Sequence, residues 1–451
     1  MKMDQDFTPS PFFTLNQKQN EHAFTEEIVL KTKNKNKLWN SKTGIYAFYK
    51  HNDTEAPVTF KRNGIETLII ANANKGIRTM FSEDELDIKE NRFVISSDFE
   101  LPSTGVAVYH QSEFRCGRWN FTGGIRIDYE HDKMQYANEA NLHYIFTLLM
   151  DDYKKLQTKL NGTAKMDFIE VLPKFAVQYN LNEHNNIYAS FAKGYKAGGF
   201  NTQIFSDILQ TQLKSDMMTD MGMKFDGMND TSYDISKATS YEPEHNWTFE
   251  LGCHLTFDGN SNRIKADISA FYIDCRNQQL TVFPHGKNTG RMMANAGESS
   301  SVGIESALSL HVNRMDIYTS YGYTYAIFED FDDGVTDYTG NFLPYAPQHT
   351  AAAQVSYTCR IGKKILDDII LTVDWKGTGK IYWNESNTVQ QPFYSLYGAS
   401  VAFSKHDFNF KIWSKNLTDE KYDTFFFTSL GNNFCQSGKP RQMGVTATYS
   451  L

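Results

Sequence analysis

The chain closes on SGKPRQMGVTATYSL, residues 437–451. A Gly-Lys-Pro-Arg turn runs into strict alternation. Met443, Val445, Ala447, Tyr449 and Leu451 point one way, and Gly444, Thr446, Thr448 and Ser450 the other. A period of two is the signature of a half-buried β-strand. A bare, half-apolar strand is an open edge that invites aggregation unless a strand distant in sequence pairs with it. The fold is therefore a large sheet whose members are spread along the chain.

Upstream, alternating runs come in pairs joined by tight polar turns. YEPEHNWTFELGCHLTF (241–257), DGNSN (258–262) and RIKADISAFYIDC (263–275) form one hairpin pattern. SVGIESALSLHV and DIYTSYGYTYAIF flank the turn at 313–315, and HTAAAQVSYTCRI and ILDDIILTVDWKG flank the turn at 362–364. FYSLYGASVAF and FNFKIWSKNL flank SKHD (404–407). Period and turn chemistry make each a β-hairpin. The links between hairpins, over 52–104, 132–163, 197–241, 284–301, 329–346, 379–391 and 418–440, are mostly long and rich in Asn, Asp, Ser and Gly. Such lengths are foreign to a soluble domain, whereas short turns on one rim and long loops on the other are the rule for outer-membrane barrels. Within one link, NLHYIFTLLMDDYKKLQTKL (141–160) carries apolar residues at roughly helical spacing and predicts a short loop helix.

The bulk composition agrees. With 451 residues, a mean hydropathy of -0.51 and no run of 18 apolar residues, helical membrane spans are excluded. Membrane β-strands are not, because lipid-facing and lumen-facing residues alternate and keep the average low. Aromatic clusters near run ends (Tyr46, Phe48 and Tyr49; Tyr321, Tyr323 and Tyr325; Tyr382 and Trp383; Phe425, Phe426 and Phe427) predict interfacial girdles. A net charge of -8 argues against a nucleic-acid partner. The five cysteines are widely spaced and contain no CxxC, which predicts neither a zinc site nor a dense disulfide framework. The opening MKMDQDFTPS lacks the apolar core of a signal peptide, so the chain is either cytoplasmic or a piece of something longer.

Fifteen runs have barrel length: 22–32, 42–51, 105–115, 119–131, 164–181, 186–196, 242–257, 262–276, 302–312, 315–328, 347–361, 365–378, 392–404, 407–417 and 441–451. The first and last both run toward the short-turn rim, which needs an odd count, whereas a closed antiparallel barrel needs an even one. Either the count is off by one, or strands preceding residue 22 are missing, and either would restore the parity.

At this point the residues match a family. EEIVLKTKNKNKLWNSKTGIYAFYKHND, TGVAVYHQSEF, NFTGGIRIDYEHD, VLPKFAVQYNLNEHNNIYASFAKGYKAGGFN, YEPEHNWTFELG, NAGESSSVGIES, LPYAPQHT, KNLTDEKYD and the final strand follow one another in a characteristic order. In that order the chain resembles the C-terminal part of a TonB-dependent outer-membrane receptor of the siderophore-receptor type. The resemblance implies an all-β antiparallel transmembrane barrel, with fifteen of an expected count of about 22 strands. Residues 1–21 would be a loop leading into the barrel and 22–451 the barrel itself, with the plug that precedes it in the family absent. It implies a Gram-negative outer-membrane location, contact with outer-membrane lipid, and an iron chelate or similar small molecule bound at the extracellular loops. The TonB complex would be met only through the N-terminal region that this chain lacks. A passive porin-like channel and a non-functional truncated receptor stay open as alternatives. Candidate ligand contacts are the loop-proximal Tyr195, Lys196, Phe200, Arg291, Tyr338, Tyr345, Tyr382 and Trp383, with Lys196 and Arg291 suited to an anionic chelate.

Catalysis has no foothold in the sequence. HExxH, GxSxG and a Walker loop are missing, and GYKAGGFN (194–201) has no Ser or Thr after its Lys. No enzymatic activity, cofactor or metal is expected. The acidic run SEDELDIKE (82–90) reads as a solvated external loop.

Overall fold

Fifteen strands pair one after another in chain order, each antiparallel to the next. They are β1 (Lys18–Lys31), β2 (Trp39–Glu55), β3 (Arg92–Cys116), β4 (Trp119–Phe146), β5 (Lys154–Asn180), β6 (Asn186–Lys196), β7 (Glu244–Asp258), β8 (Asn262–Val282), β9 (Met292–Val312), β10 (Met315–Asp330), β11 (His349–Arg360), β12 (Asp368–Gly379), β13 (Tyr394–Lys405), β14 (Phe408–Lys415) and β15 (Gln442–Tyr449). The fold comes from a computed structural model that describes residues 2–4, 11–32, 38–71, 73–74, 86–220, 238–259, 261–282, 292–333, 335–362, 365–429 and 432–450. Each strand falls on one of the fifteen runs read from the sequence. Among the described residues the sheet is not closed: β1 and β15 are not paired with each other. Tight turns such as Gly117 (φ 59°), Asn313 (φ 55°) and His406 (φ 48°) gather at one end, where the left-handed backbone that such turns demand is met by Gly and Asn or tolerated by His.

Several connections are shorter than the sequence suggests, because the strands outrun the membrane. The helix expected over 141–160 does not form. β4 continues to Phe146 and β5 begins at Lys154, leaving a brief turn. The apolar residues that suggested a 3.6-residue period also fit a period of two: Leu142, Tyr144 and Phe146 share one face of β4 and are fully buried there. In the same way β2 extends to Glu55, β3 starts at Arg92 and β9 starts at Met292, inside stretches read as loops. The leading segment is also structured, with strands at Lys2–Asp4 and Phe13–Asn16 and β1 beginning at Lys18.

The tall strands β3–β5 invert their polarity midway up. The β4–β5 ladder keeps one register from Trp119↔Tyr179 to Tyr144↔Lys154, so each face can be followed without a slip. Along the lower half, a single face of β4 carries Trp119, Phe121, Ile125, Ile127 and Tyr129, all exposed, and β5 adds Ile169, Val171 and Phe175. The opposite face there holds Arg126, Asp128 and Glu170. Above residue 130 the pattern reverses. The outer face becomes His131, Lys133, Gln135, Glu139, Asn141 and His143, while the inner face becomes Met134, Asn138, Ala140, Leu142, Tyr144 and Phe146. An outward apolar band from Trp119 to Tyr129 is about the length a tilted strand needs to cross hydrocarbon, so the outer membrane boundary passes just beyond Tyr129 and Ile169. Ile125→Glu, in mid-band, should therefore destabilise the barrel by about 2 kcal/mol. Lys133→Glu, two steps outside and opposite Lys165, should cost almost nothing, and urea midpoints in detergent distinguish the two.

The inward apolar face above the boundary gathers a globular lobe. The helix α1 (Phe205–Asp220), a strand at Val58–Lys61, a helical segment over Arg62–Ile70 and a strand at Leu86–Ile88 pack against it. Phe205, Ile208, Leu209, Leu213 and Met217 are buried, a spacing that lays one stripe of α1 on the wall. Asn74 clips the lobe: its amide donates to the Leu86 carbonyl (2.9 Å) and accepts from the Leu86 N–H (3.0 Å).

The end of α1 is fastened by charge. The Lys154 ammonium (2.5 Å) and the Tyr144 hydroxyl (2.6 Å) both donate to Asp220 and hold its carboxyl below the usual range. At Asp87 burial pushes the other way, but the Tyr153 hydroxyl, the Ile88 N–H and Arg62 outweigh it and the result is again a lowered carboxyl. A depressed folded-state pKa stabilises above the ordinary carboxylate range and is lost as pH falls through the folded value. Hydrogen exchange of α1, corrected for intrinsic rate, should show protection that is constant above about pH 5 and falls on further acidification. Asp220→Asn should flatten that dependence.

Candidate ligand-binding site

Three connections at the end opposite the tight turns interlock: 331–348 between β10 and β11, 380–393 between β12 and β13, and 416–441 between β14 and β15. Asn384 organises the second of them, its side-chain oxygen accepting from the N–H groups of Thr388 (3.0 Å) and Val389 (3.1 Å). Asn387 reaches across to the first loop, accepting from the Phe342 N–H (2.7 Å) and donating to the Phe342 carbonyl (2.9 Å). Asn341 donates to the Glu385 carbonyl (2.9 Å), and the Asp423 N–H donates to Gln391 (2.9 Å), which ties in the third loop. Amides thus supply the backbone groups of these loops with the partners that a ladder would otherwise give.

On this frame sits a run of touching rings. Phe342 stacks on Tyr382 (centroids 5.3 Å apart). Tyr345 meets both Trp383 (5.4 Å) and Phe425 (5.6 Å), and the run continues through Phe427 to Phe434. Tyr345 is the keystone. Its N–H donates to the Tyr382 carbonyl (2.8 Å) and its hydroxyl to the Phe426 carbonyl (2.6 Å). Its φ is 62°, a left-handed conformation that costs a bulky residue about 1–3 kcal/mol and persists only where the surroundings fix it. The ring nonetheless stays 45% exposed, as does Phe425 at 41%, whereas Trp383 beneath is 6% exposed. The Lys380 ammonium lies 4.5 Å from the centre of the Tyr382 ring. The surface is a partly exposed aromatic patch with the Lys380 cation beside Tyr382, suited to stacking on a planar, partly anionic ligand.

Of the loop candidates read from the sequence, Tyr345, Tyr382 and Trp383 lie at this patch. Tyr338 packs instead beside Phe331 (5.2 Å), with its hydroxyl donating to Asp333 (3.1 Å). Burial, and then that bond, push its hydroxyl pKa up. The other candidates lie elsewhere. Tyr195 is at the top of β6 against Phe168 (6.1 Å). The Lys196 side chain is exposed and its carbonyl accepts from Gln279 (3.4 Å). Phe200 packs against the apolar lobe beside Phe99, Met134 and Phe205. Arg291 lies outside the described residues. Phe425 and Phe427, read from the sequence as members of a membrane girdle, instead belong to a loop hairpin, Asp423–Ser429 with Asn432–Ser437, and line the aromatic patch. In the sequence, the Gly-Asn-Asn stretch 431–433 between two short alternating runs carries the signal for it. Lys380 was not anticipated. Among the described residues no cluster of His, Cys, Asp or Glu assembles a metal site.

Comparison with known proteins gives the family. A family model described as TonB dependent receptor-like, beta-barrel, matches residues 7–418. The pesticin receptor of Yersinia enterocolitica is 20% identical over 362 residues, covering 80% of this chain and 45% of the relative. The pesticin receptor of Yersinia pestis matches equally, at 20% over 362 residues. Among solved structures, the ferric yersiniabactin uptake receptor of Yersinia pestis superposes with a TM-score of 0.68 at 16% identity, covering 98% of this chain and 56% of that one. A siderophore receptor of Acinetobacter baumannii gives a TM-score of 0.52 at 15% identity, covering 96% and 64% respectively. The chain spans less than half the length of the curated relatives it matches.

Proposed function

The chain belongs to the TonB-dependent receptor β-barrel family, and from that premise we propose that it forms the recognising wall of an outer-membrane receptor that takes up an iron–siderophore complex or a similarly scarce chelate under TonB drive. The observation that carries this reading is the aromatic patch at the loop end, held in place by amide bonds and fastened at Tyr345. Recognition there is by ring stacking, with Lys380 meeting negative charge on the ligand. No bond is made or broken by the protein. Its work is selection and passage, and the lower inner wall, lined by Arg126, Asp128 and Glu170, gives a polar route.

The test uses outer membranes from the native cells. Binding of radioactive ferric chelates of catecholate, hydroxamate and phenolate type is titrated on membranes carrying the wild-type receptor, Tyr345→Ala and Lys380→Gln. One chelate class should saturate, with affinity about tenfold weaker in Tyr345→Ala from the lost stacking. Equal affinity in wild type and both variants for every chelate class would sink the assignment of the site.

A further inference from the structure

We propose that Glu130 is a proton-operated latch: protonated, it lets the strap formed by residues 197–201 and 238–242 seat against the inner face of β4, and ionised, it loosens that seat. The strap contains a short antiparallel pair, Gly199↔Tyr241 and Phe200↔Ser240, at the root of α1. One side of it is fastened by uncharged amides. Asn201 donates to the Met293 carbonyl (2.8 Å) and accepts from the Met293 N–H (2.8 Å). Asn295 donates to the Glu242 carbonyl (2.8 Å), and Gln279 to the Ala197 carbonyl (2.8 Å). None of these bonds titrates.

The other side lies over acids. Glu130 is the first inner residue of β4 above the membrane band. Across the β4–β5 ladder it stands opposite Phe168, and Asp132 stands opposite Met166. Tyr195, two residues before the strap, packs on Phe168 (6.1 Å), and Gly198 runs so close to Met166 that a Cβ there would meet its sulfur at 2.7 Å. Phe200 packs on Met134, the next residue up the same face. Beneath this cover most charges are already matched. Arg126 is forked to Asp128, Lys193 and His245 face Glu170 (3.2 and 3.3 Å), and Lys50 is paired with Glu21 (3.0 Å). Asp132, 8% exposed, shares the Ser103 hydroxyl and is helped by Lys50 and His131. Glu130 has only that same hydroxyl, at 3.4 Å, and the charges acting on it, from Asp132 and Asp128, are both negative. Burial first, and then those neighbours, push its carboxyl up to about 7. On the strap itself the Tyr241 hydroxyl is pushed up by burial and by Asp132, so it stays neutral, and Lys196 and Glu242 are exposed. Loosening the strap readmits water and so relieves the largest cause of the shift. A raised carboxyl stabilises the seated form fully below the ordinary carboxylate range, and that stabilisation is lost as pH rises through the seated value. The latch is independent of what the loops bind.

The receptor is purified from native outer membranes in detergent, and hydrogen exchange of 197–201 and 238–242, corrected for intrinsic rate, is followed from about pH 5 to about pH 8. Exchange in the strap should speed up by about tenfold or more over that range and level off above about pH 7, while α1 keeps its protection. Glu130→Gln, neutral at every pH, should give a flat profile. At about pH 5, where Glu130 carries its proton, this variant should match the wild type in both strap exchange and urea midpoint. Asp132→Asn removes one of the two repelling charges and should move the levelling-off to lower pH. Strap exchange that is equal at both ends of the range in the wild type would overturn the proposal. So would a slope that survives in Glu130→Gln, which would hand the titration to another group such as His245. If Glu130→Gln lowers the urea midpoint at about pH 5, Asp132→Asn decides alone, and an unmoved levelling-off then overturns the latch.

Discussion

Phe205→Ala should cost the lobe about 3–5 kcal/mol and detach α1 from the wall while leaving the membrane band intact. Phe205 is fully buried, edge-on to Phe99 (5.1 Å) and tilted against Tyr136 (4.6 Å). It opens α1 and plugs the space between the helix and the inner faces of β3 and β4. Truncation leaves a cavity that two rings and a long strand pair cannot collapse to fill. The loss stays local because the barrel below is held by different forces, a continuous ladder and a lipid-facing apolar band. Hydrogen exchange should accordingly accelerate in 205–220 and in the upper stretch of β3 around Phe99, with 119–129 unchanged. Phe205→Leu, which keeps most of the volume, should cost less than about 1.5 kcal/mol. Equal protection of α1 in wild type and Phe205→Ala would mean that the helix is held by its polar ties, Asp216 to Thr158 and Asp220 to Lys154, and not by its apolar stripe.

Much of this architecture was legible because a barrel writes itself in the simplest of periods. Alternations such as Ile264, Ala266 and Ile268 between tight polar turns place a strand with little ambiguity, and all fifteen positions follow. The lobe was not legible, for a reason that lies in the membrane. Below Tyr129 the outward residues are apolar, and above it they are polar, so the eye reads His131, Lys133, Gln135 and Asn141 as the start of a loop although the strand simply continues in water. The alternation persists with its meaning reversed. The helix α1 was hidden differently: FSDILQTQLKSDMMTD has the right stripe, but it sits in a stretch rich in Asn, Asp and Ser whose average composition is that of a loop. At the aromatic patch, Tyr345, Tyr382 and Trp383 were recognisable as aromatics in loops. The triple Phe425–Phe427 was not, because a run of rings near a strand end is equally what a membrane interface requires. Only the three-loop framework of Asn341, Asn387 and Gln391 separates the two meanings, and that framework is long-range.

Arg126→Ala should destabilise the barrel by about 3 kcal/mol, and removing Asp128 as well should restore much of that loss. The two are joined by a fork: the Arg126 Nε donates to Asp128 Oδ2 (2.8 Å) and Nη2 to Oδ1 (2.6 Å). The guanidinium also faces the rings of Tyr46 (5.5 Å) and Tyr109 (5.8 Å). Asp128 is 6% exposed, and the same face of the wall holds Glu130, Asp132 and Glu170. Glu170 has its own cation, Lys193 at 3.2 Å. Taking Arg126 away leaves Asp128 as an uncompensated, nearly buried charge on an acidic wall, which is the costly way to break such a pair. The lower end of the usual range for a buried pair applies, because Arg126 itself remains a third exposed and water can follow it. Asp128→Ala alone should cost less, since the freed guanidinium keeps its two rings and turns toward the remaining carboxylates. Arg126→Lys preserves charge without the fork or the flat stacking face, and should recover only some of the stability. Urea midpoints of the four proteins in the cycle give the coupling energy directly. A value near zero would show that the wall's acids are neutralised collectively, by solvent ions and Lys193, and that the Arg126–Asp128 fork is a bystander.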